Sequence, residues 1–304
     1  ITNHIYRKAL YECFGGFDKY FIPFIRAKQN LNFSGREKKD IDPENNHGMY
    51  AVPQILTRNA DDFLRTASQL AGFGYREINL NLGCPSKTVV TKGCGAGFLD
   101  RPDELERFLN HIFANTDLKI SIKTRLGMDD AEEFEDLLEI YNRFPLEELI
   151  VHPRVQKDFY KNVPNLEAFE YAVQKSKNPL CYNGDIFSAE DAVKILQFTG
   201  ADFAMIGRGA FGNPWLFQQA LAALEGREIP PLPPLDERCD TAVRQIHWAA
   251  QDKGEHIAIL EARKQYAWYL KGVAHANYYK EQIVRMNTLE DVTRITEGIK
   301  RDLR

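Results

Sequence analysis

The sequence predicts an α/β chain: a parallel TIM (β/α)8 barrel followed by a small all-helical domain. Three observations carry this. Short apolar, β-rich runs alternate with helical patterns, the arrangement that builds a parallel sheet. Glycines and polar residues gather at the C-terminal ends of those runs, where barrels keep their binding and catalytic groups. The run Ile229-Pro230-Pro231-Leu232-Pro233-Pro234 cannot continue a helix, and a largely helical pattern follows it to the end of the chain.

Taken in order, the chain opens with a helix over 2–13, with Thr2 or Asn3 as cap and Ile5, Ala9 and Leu10 at helical spacing. Strands are expected near Tyr20–Ile25, Tyr50–Leu56, Ile78–Leu82, Lys119–Thr124, Glu148–His152, Leu180–Asn183 and Phe203–Ile206. These are seven, so the barrel's first strand is expected just before Ile1, outside this numbering. The charged segment 28–47 reads as an exposed loop bordering the substrate cleft. Helices fill the intervals, as over 59–73, where Phe63, Leu64, Ala67, Leu70 and Ala71 repeat at three and four residues. An open doubly wound sheet is the alternative, and the lack of a Gly-rich dinucleotide fingerprint after an early strand speaks against it. The expected domains are a barrel over 1–228, a stiff Pro-rich linker over 229–236 and a helical domain over 237–304. In the last, Val243, Ile246 and Ala250, then Ile257, Leu260, Tyr266, Trp268, Tyr269 and Leu270, supply the apolar positions.

With 304 residues, 44% hydrophobic and 27% charged, the chain can bury one barrel core and a small appended core. It contains no run of eighteen apolar residues and no signal pattern over 1–11, so no membrane association is expected and a cytoplasmic address follows. Its five cysteines are odd in number, scattered and never in a C-x-x-C pair, which argues against a disulfide framework and a structural zinc site; no metal is expected. A net charge of −4 means that any nucleic-acid binding must come from a local basic face.

The most informative segment is Asn79-Leu80-Asn81-Leu82-Gly83-Cys84-Pro85-Ser86-Lys87, leading to Lys92-Gly93-Cys94-Gly95-Ala96-Gly97. A strand ending in Gly-Cys-Pro before a Gly-rich loop puts Cys84 where a barrel has its active site. Lys123 and Arg125, two apart in Ser121-Ile122-Lys123-Thr124-Arg125-Leu126-Gly127, leave the same face of a strand, and two cations there call for an anion. Gly184, Gly207 and Arg208 follow the last two strands, a common place for a phosphate site built from backbone N–H groups. In Arg263–Lys271, with Lys280 and Arg285 beyond, basic residues interleave with aromatics; this fits either a solvated helix face or nucleic-acid contact.

Together with Ile150-Val151-His152-Pro153-Arg154, Asn183-Gly184-Asp185 and Met205-Ile206-Gly207-Arg208-Gly209-Ala210, these segments resemble, in order and spacing, the tRNA-dihydrouridine synthases over essentially the whole chain. The resemblance implies hydride transfer from FMN to C6 of a uridine in tRNA, with Cys84 as the acid that protonates C5 and NADPH as reductant. A thiol of ordinary pKa, roughly 8.5, is mostly protonated at neutral pH and suits that role. The resemblance also implies that Gln54, Lys123 and His152 bind the flavin ring region, that Asn183, Gly184, Asp185, Gly207 and Arg208 complete the cofactor site, and that Asn81 and Arg125 hold the uracil. Lys264 and Lys271, in a segment similar to the family's R-K-x-x-x-W-Y-L-K helix, would contact tRNA, with the protein acting as a monomer. FMN, with one phosphate, suits the Gly184–Arg208 site better than FAD. His152-Pro153-Arg154 departs from the family's H-G-R. Cys94 is the alternative reactive thiol, whereas Cys13, Cys181 and Cys239 read as core residues. The rival functions are a dihydroorotate or dihydropyrimidine-type flavin dehydrogenase acting on a free base, and a non-catalytic RNA-binding protein.

Overall fold

The computed structural model describes residues 2–14, 17–27 and 32–303, without the side chain of Cys13. In chain order its elements are α1 (His4–Cys13), β1 (Tyr20–Phe21), β2 (Ile25–Arg26), α2 (Gly35–Ile41), β3 (Ala51–Val52), β4 (Gln54–Leu56), α3 (Ala60–Gly72), β5 (Glu77–Leu82) and α4 (Lys87–Val90). Next come α5 (Pro102–Ala114), β6 (Lys119–Arg125), α6 (Glu133–Tyr141), β7 (Glu148–His152), α7 (Leu166–Lys175), β8 (Leu180–Tyr182), α8 (Ala189–Thr199) and β9 (Phe203–Ala204). The helices α9 (Leu216–Leu224), α10 (Leu235–Lys253), α11 (Glu255–Tyr269), α12 (Asn277–Arg285) and α13 (Leu289–Asp302) complete the chain. It divides into two compact units: Ile1–His4, Phe17–Ile186 and Asp191–Ile206 form the first, and Ile5–Gly16, Phe187–Glu190 and Gly207–Arg304 the second.

In the first unit β2, β4, β5, β6, β7, β8 and β9 pair in that order, every pair parallel, which is the succession of a TIM barrel. Two expected strands are each broken by a proline. Pro23 and Pro53 lack the N–H a ladder needs, so the 20–26 run splits into β1 and β2 and the 51–56 run into β3 and β4, with β1 and β3 pairing separately. All six residues of β5, Glu-Ile-Asn-Leu-Asn-Leu, are buried although they alternate in polarity. Ile78, Leu80 and Leu82 pack under the helices, while Glu77, Asn79 and Asn81 share the opposite, inner face with Ser121, Lys123 and Arg125 of β6. The helices bury Phe63 and Leu70 of α3, Phe108 and Leu109 of α5, Phe134 and Leu138 of α6 and Phe169 of α7. Edge-to-face pairs, Phe63 with Phe108 and Phe169 with Tyr182, tie this layer together.

The loop expected over 28–47 is corrected. Its first four residues, 28–31, lie outside the described ones, but 35–41 form α2, which starts at a capping box in which Ser34 and Glu37 each bond the other's backbone N–H. Ser34-Gly35-Arg36-Glu37 spells that signal in the sequence, and the surrounding charge obscured it.

The second unit is helical, and α10 to α13 pack in the succession α10–α11, α11–α12, α12–α13, with α10 also against α13. The Pro-rich run 229–234 lies between α9 and α10. On α11 the buried stripe is Ala258, Ile259, Ala262, Tyr266 and Tyr269; Ile257 and Leu260, expected in the core, are 49% and 45% exposed. A phase error of one residue, about 100°, in a helix that is apolar on several sides produces that mistake. Among the described residues no helix is long and apolar enough to cross a membrane.

Candidate active site

The inner face of the first unit is polar because adjacent strands place amides in register. Gln54 stands opposite Asn79, Asn79 opposite Ser121, and Asn81 opposite Lys123. The Gln54 amide donates to Asn79 Oδ1 (2.7 Å), Asn79 donates to Ser121 Oγ (2.9 Å), and Asn81 donates to Gln54 Oε1 (2.5 Å). This chain of buried amides fixes Asn81, whose Oδ1 accepts the backbone N–H groups of Gly83 (3.2 Å) and Cys84 (3.0 Å). The loop carrying Cys84 is therefore pinned from β5 itself. On its other side Ala96 N–H donates to Cys84 O at 3.1 Å, bringing the Gly-rich loop underneath.

Arg125 is 1% exposed and ties two loops through three backbone carbonyls. It donates to Gly83 O (3.0 Å), Val155 O (2.9 Å) and Phe159 O (2.7 Å), and its guanidinium lies 5.5 Å from the Tyr160 ring centre. Gln156 adds a bond from its side-chain amide to Pro85 O (3.0 Å), so the Cys84 loop and the 155–160 loop are held as one wall. Lys123 is different: among the described residues its ammonium makes no hydrogen bond or ion pair, and part of the side chain remains accessible. Burial, then the neighbouring Arg125, pull its pKa down to about 8; Cys84 and Cys181 are close enough to oppose that shift weakly. Among the described residues no carboxylate pairs with Lys123, and an ammonium so placed suits an electron-rich ligand.

His152, at the end of β7, is 5% exposed and stacks on Tyr160 at 6.2 Å. Gly184 follows β8 with its backbone so near that a Cβ there would stand 3.4 Å from His152 Cδ2 and 3.2 Å from Tyr182 Oη. Asn183 is held by a bond from its amide to Met205 O (2.9 Å), and Asp185 pairs with Arg154. The first unit thus brings together Cys84, Asn81, Gln54, Lys123, Arg125, His152, Asn183, Gly184 and Asp185. Gly207, Arg208, Lys264 and Lys271 belong to the second. There Arg208 and Lys271 both lie over the exposed Phe187 ring, at 5.8 and 5.6 Å, and a Cβ on Gly207 would meet nothing within 4 Å. Helix α11 ends at Tyr269, so Lys271 lies beyond it and does not share a helix with the exposed Lys264. Of the same basic segment, Arg263 is engaged by Met286 O (3.0 Å) and Asn287 Oδ1 (2.8 Å), and Trp268 stacks on Phe211 at 4.3 Å.

The alternative thiol, Cys94, donates to Lys92 O (3.7 Å), and burial pushes its pKa up against the opposing charge of Arg58. Asn79, Tyr160 and Arg154 escaped the sequence reading. For Asn79 the signal was its place in Asn79-Leu80-Asn81; for Arg154 it was its spacing of two from His152.

A family sequence profile described as dihydrouridine synthase matches residues 1–302. The chain is 32% identical over 227 residues to tRNA-dihydrouridine synthase B of Pasteurella multocida, covering 74% of this chain and 68% of the relative. It is 30% identical over 252 residues to tRNA-dihydrouridine synthase B of Proteus vulgaris, covering 81% and 76%. Among solved structures, histamine dehydrogenase from Rhizobium sp. 4-9 superposes with a TM-score of 0.54 at 12% identity, covering 80% of this chain and 45% of the other, a likeness of fold.

Proposed function

The chain belongs to the dihydrouridine synthase family, and on that premise we propose that it is an FMN-dependent tRNA-dihydrouridine synthase that reduces the C5–C6 bond of uridine in tRNA with NADPH. The observation that carries the reading is Lys123, a half-buried lysine on the inner face of β6 whose ammonium has no hydrogen-bonding partner among the described residues, near Cys84. Its charge fits a ligand edge that becomes more negative on reduction, as the N1–C2=O edge of a flavin does. Bound FMN would supply the hydride to C6.

The chain's own residues would divide the remaining work. Lys123 and His152 hold the flavin ring region with Gln54 behind them, and Asn183, Gly184 and Asp185 shape the end of β8. Gly207 and Arg208 hold the phosphate, backbone N–H and guanidinium both being suited to it. Asn81 holds the Cys84 loop and the uracil together, since its Oδ1 already fixes the loop's N–H groups. Arg125 bounds the uracil pocket as the tie between two loops. Cys84 Sγ donates the proton that C5 requires. Recognition of tRNA falls to the helical region 237–304, with Lys264 and Lys271 on backbone phosphates, and the reaction takes place in the cytoplasm.

The test is to incubate purified protein with FMN, NADPH and an unmodified tRNA transcript and to look by mass spectrometry for a gain of two hydrogens on uridine. Cys84→Ala is expected to retain FMN and NADPH oxidation and to lose dihydrouridine formation, with Cys94→Ala active. Reduction of free uracil or orotate in preference to tRNA, or an inactive Cys94→Ala beside an active Cys84→Ala, would overturn the assignment.

A further inference from the structure

Arg154 is a charge buried to 2% exposure two residues beyond His152, and each bond it makes has a structural purpose. Its backbone N–H donates to His152 O at 2.7 Å, closing a three-residue γ-turn whose central residue, Pro153, has the φ that turn requires. The turn folds the Arg154 side chain back over the end of β7. Nη1 donates to His152 Nε2 at 3.0 Å and to Asp185 Oδ1 at 3.1 Å; Nη2 pairs with Asp185 Oδ2 and also reaches Asn162 O and, at 3.5 Å, Lys161 O; Nε donates to Asn162 O at 2.8 Å. Asp185 holds this pose with φ of +39°, in the left-handed region that few residues other than glycine, asparagine and aspartate enter.

We propose that Arg154 is a positioning residue that fixes His152 as the neutral Nδ1–H tautomer, with Asp185 locking the guanidinium in place. A guanidinium has five N–H donors and no acceptor, so in the bond between Arg154 and His152 the imidazole nitrogen must accept. Nε2 then carries no hydrogen, and the ring's single N–H is on Nδ1. Stacking on Tyr160 holds the ring plane, so tautomer and orientation are set together. His152 thereby serves as a hydrogen-bond donor of fixed direction and not as a proton-accepting base. Its consequence for turnover rests on the function proposed above; the tautomer itself does not.

The experiment is long-range proton–nitrogen correlation NMR on the full chain with 15N-labelled histidine, the His152 signal being identified by its loss in His152→Gln. The wild type is expected to show His152 as the Nδ1–H form at neutral pH, before and after FMN is added. Arg154→Met should let the ring revert to the Nε2–H form usual for free histidine, and Arg154→Lys, which keeps a donor, should restore Nδ1–H. Turnover of tRNA should fall about tenfold or more in Arg154→Met, with unchanged tRNA affinity. A wild-type His152 in the Nε2–H form, or an Nδ1–H form that survives Arg154→Met, would overturn the proposal. If the protein neither bound FMN nor formed dihydrouridine, the function would fail while the tautomer result still stood.

Discussion

Lys123 occupies a position that favours ligand binding over stability. Its pKa of about 8 lies below the ordinary lysine value of 10.5, so in the window between them the unfolded chain binds more protons than the folded one. Stability must therefore rise with pH across that window, and the destabilisation is fully present below it. Lys123→Met should remove this term, stabilising the ligand-free protein by about 3 kcal/mol at neutral pH and flattening the rise between about pH 8 and pH 10.5. Denaturant melts of both proteins at several pH values give the difference directly, since all other groups cancel. The same variant should bind FMN much more weakly, and wild-type affinity should decline above about pH 8 as the ammonium loses its proton. Equal stability of the two proteins at every pH would show that the ammonium is not under strain. The inner-face placement of Lys123 and Arg125 was legible from their spacing of two on a strand. What that spacing could not reveal is their difference: Arg125 donates to Gly83, Val155 and Phe159, contacts made by loops distant in sequence, while Lys123 makes no hydrogen bond among the described residues.

At the scale of elements, the strand–helix alternation was legible because each strand is short, apolar on at least one face and bounded by a helix with a clear stripe. Pro23 and Pro53 were visible too, yet their consequence, two strands becoming four, depends on which N–H groups the ladder needed. The Gly-rich loop after Cys84 shows how glycine spacing acts on the site. Gly95 has φ of +57°, and a Cβ on it would lie 2.8 Å from Cys84 O and 2.9 Å from Val89 Cγ1. Gly35, the first residue of α2, has no atom within 4 Å of its Cβ position and no positive φ. Gly95→Ala should thus destabilise the protein by about 1–3 kcal/mol and displace the Cys84 loop, lowering dihydrouridine formation. Gly35→Ala should be neutral or stabilising by up to about 1 kcal/mol, by restricting the unfolded chain. Thermal melts and turnover of the two variants check this, and a harmless Gly95→Ala would mean that the loop can shift without moving Cys84.

For the whole molecule the governing quantity is charge. A chain of net charge −4 repels a polyanion at long range, so affinity for tRNA must come from a few local cations, and those contacts release counterions from the RNA. Sequence order suggested Lys264 and Lys271 as one basic face, but the structure separates their surroundings. Lys264 is exposed on α11, whereas Lys271 lies past the helix end, over the Phe187 ring that Arg208 also covers. If Arg208 holds the FMN phosphate as proposed, a change at Lys271 would disturb both ligands, and Lys264 alone gives a clean test of tRNA contact. Lys264→Glu should weaken tRNA binding and leave FMN content unchanged. If Lys264 neutralises one phosphate, the slope of log affinity against log salt should flatten by about 0.9 for a duplex contact and about 0.7 for a single-stranded one. Lys271→Glu should flatten the slope and also lower FMN occupancy. Titrating tRNA into each variant at several salt concentrations separates these effects. An unchanged slope in a folded, FMN-loaded Lys264→Glu protein would show that this part of α11 is a solvated face and that the RNA docks on another surface.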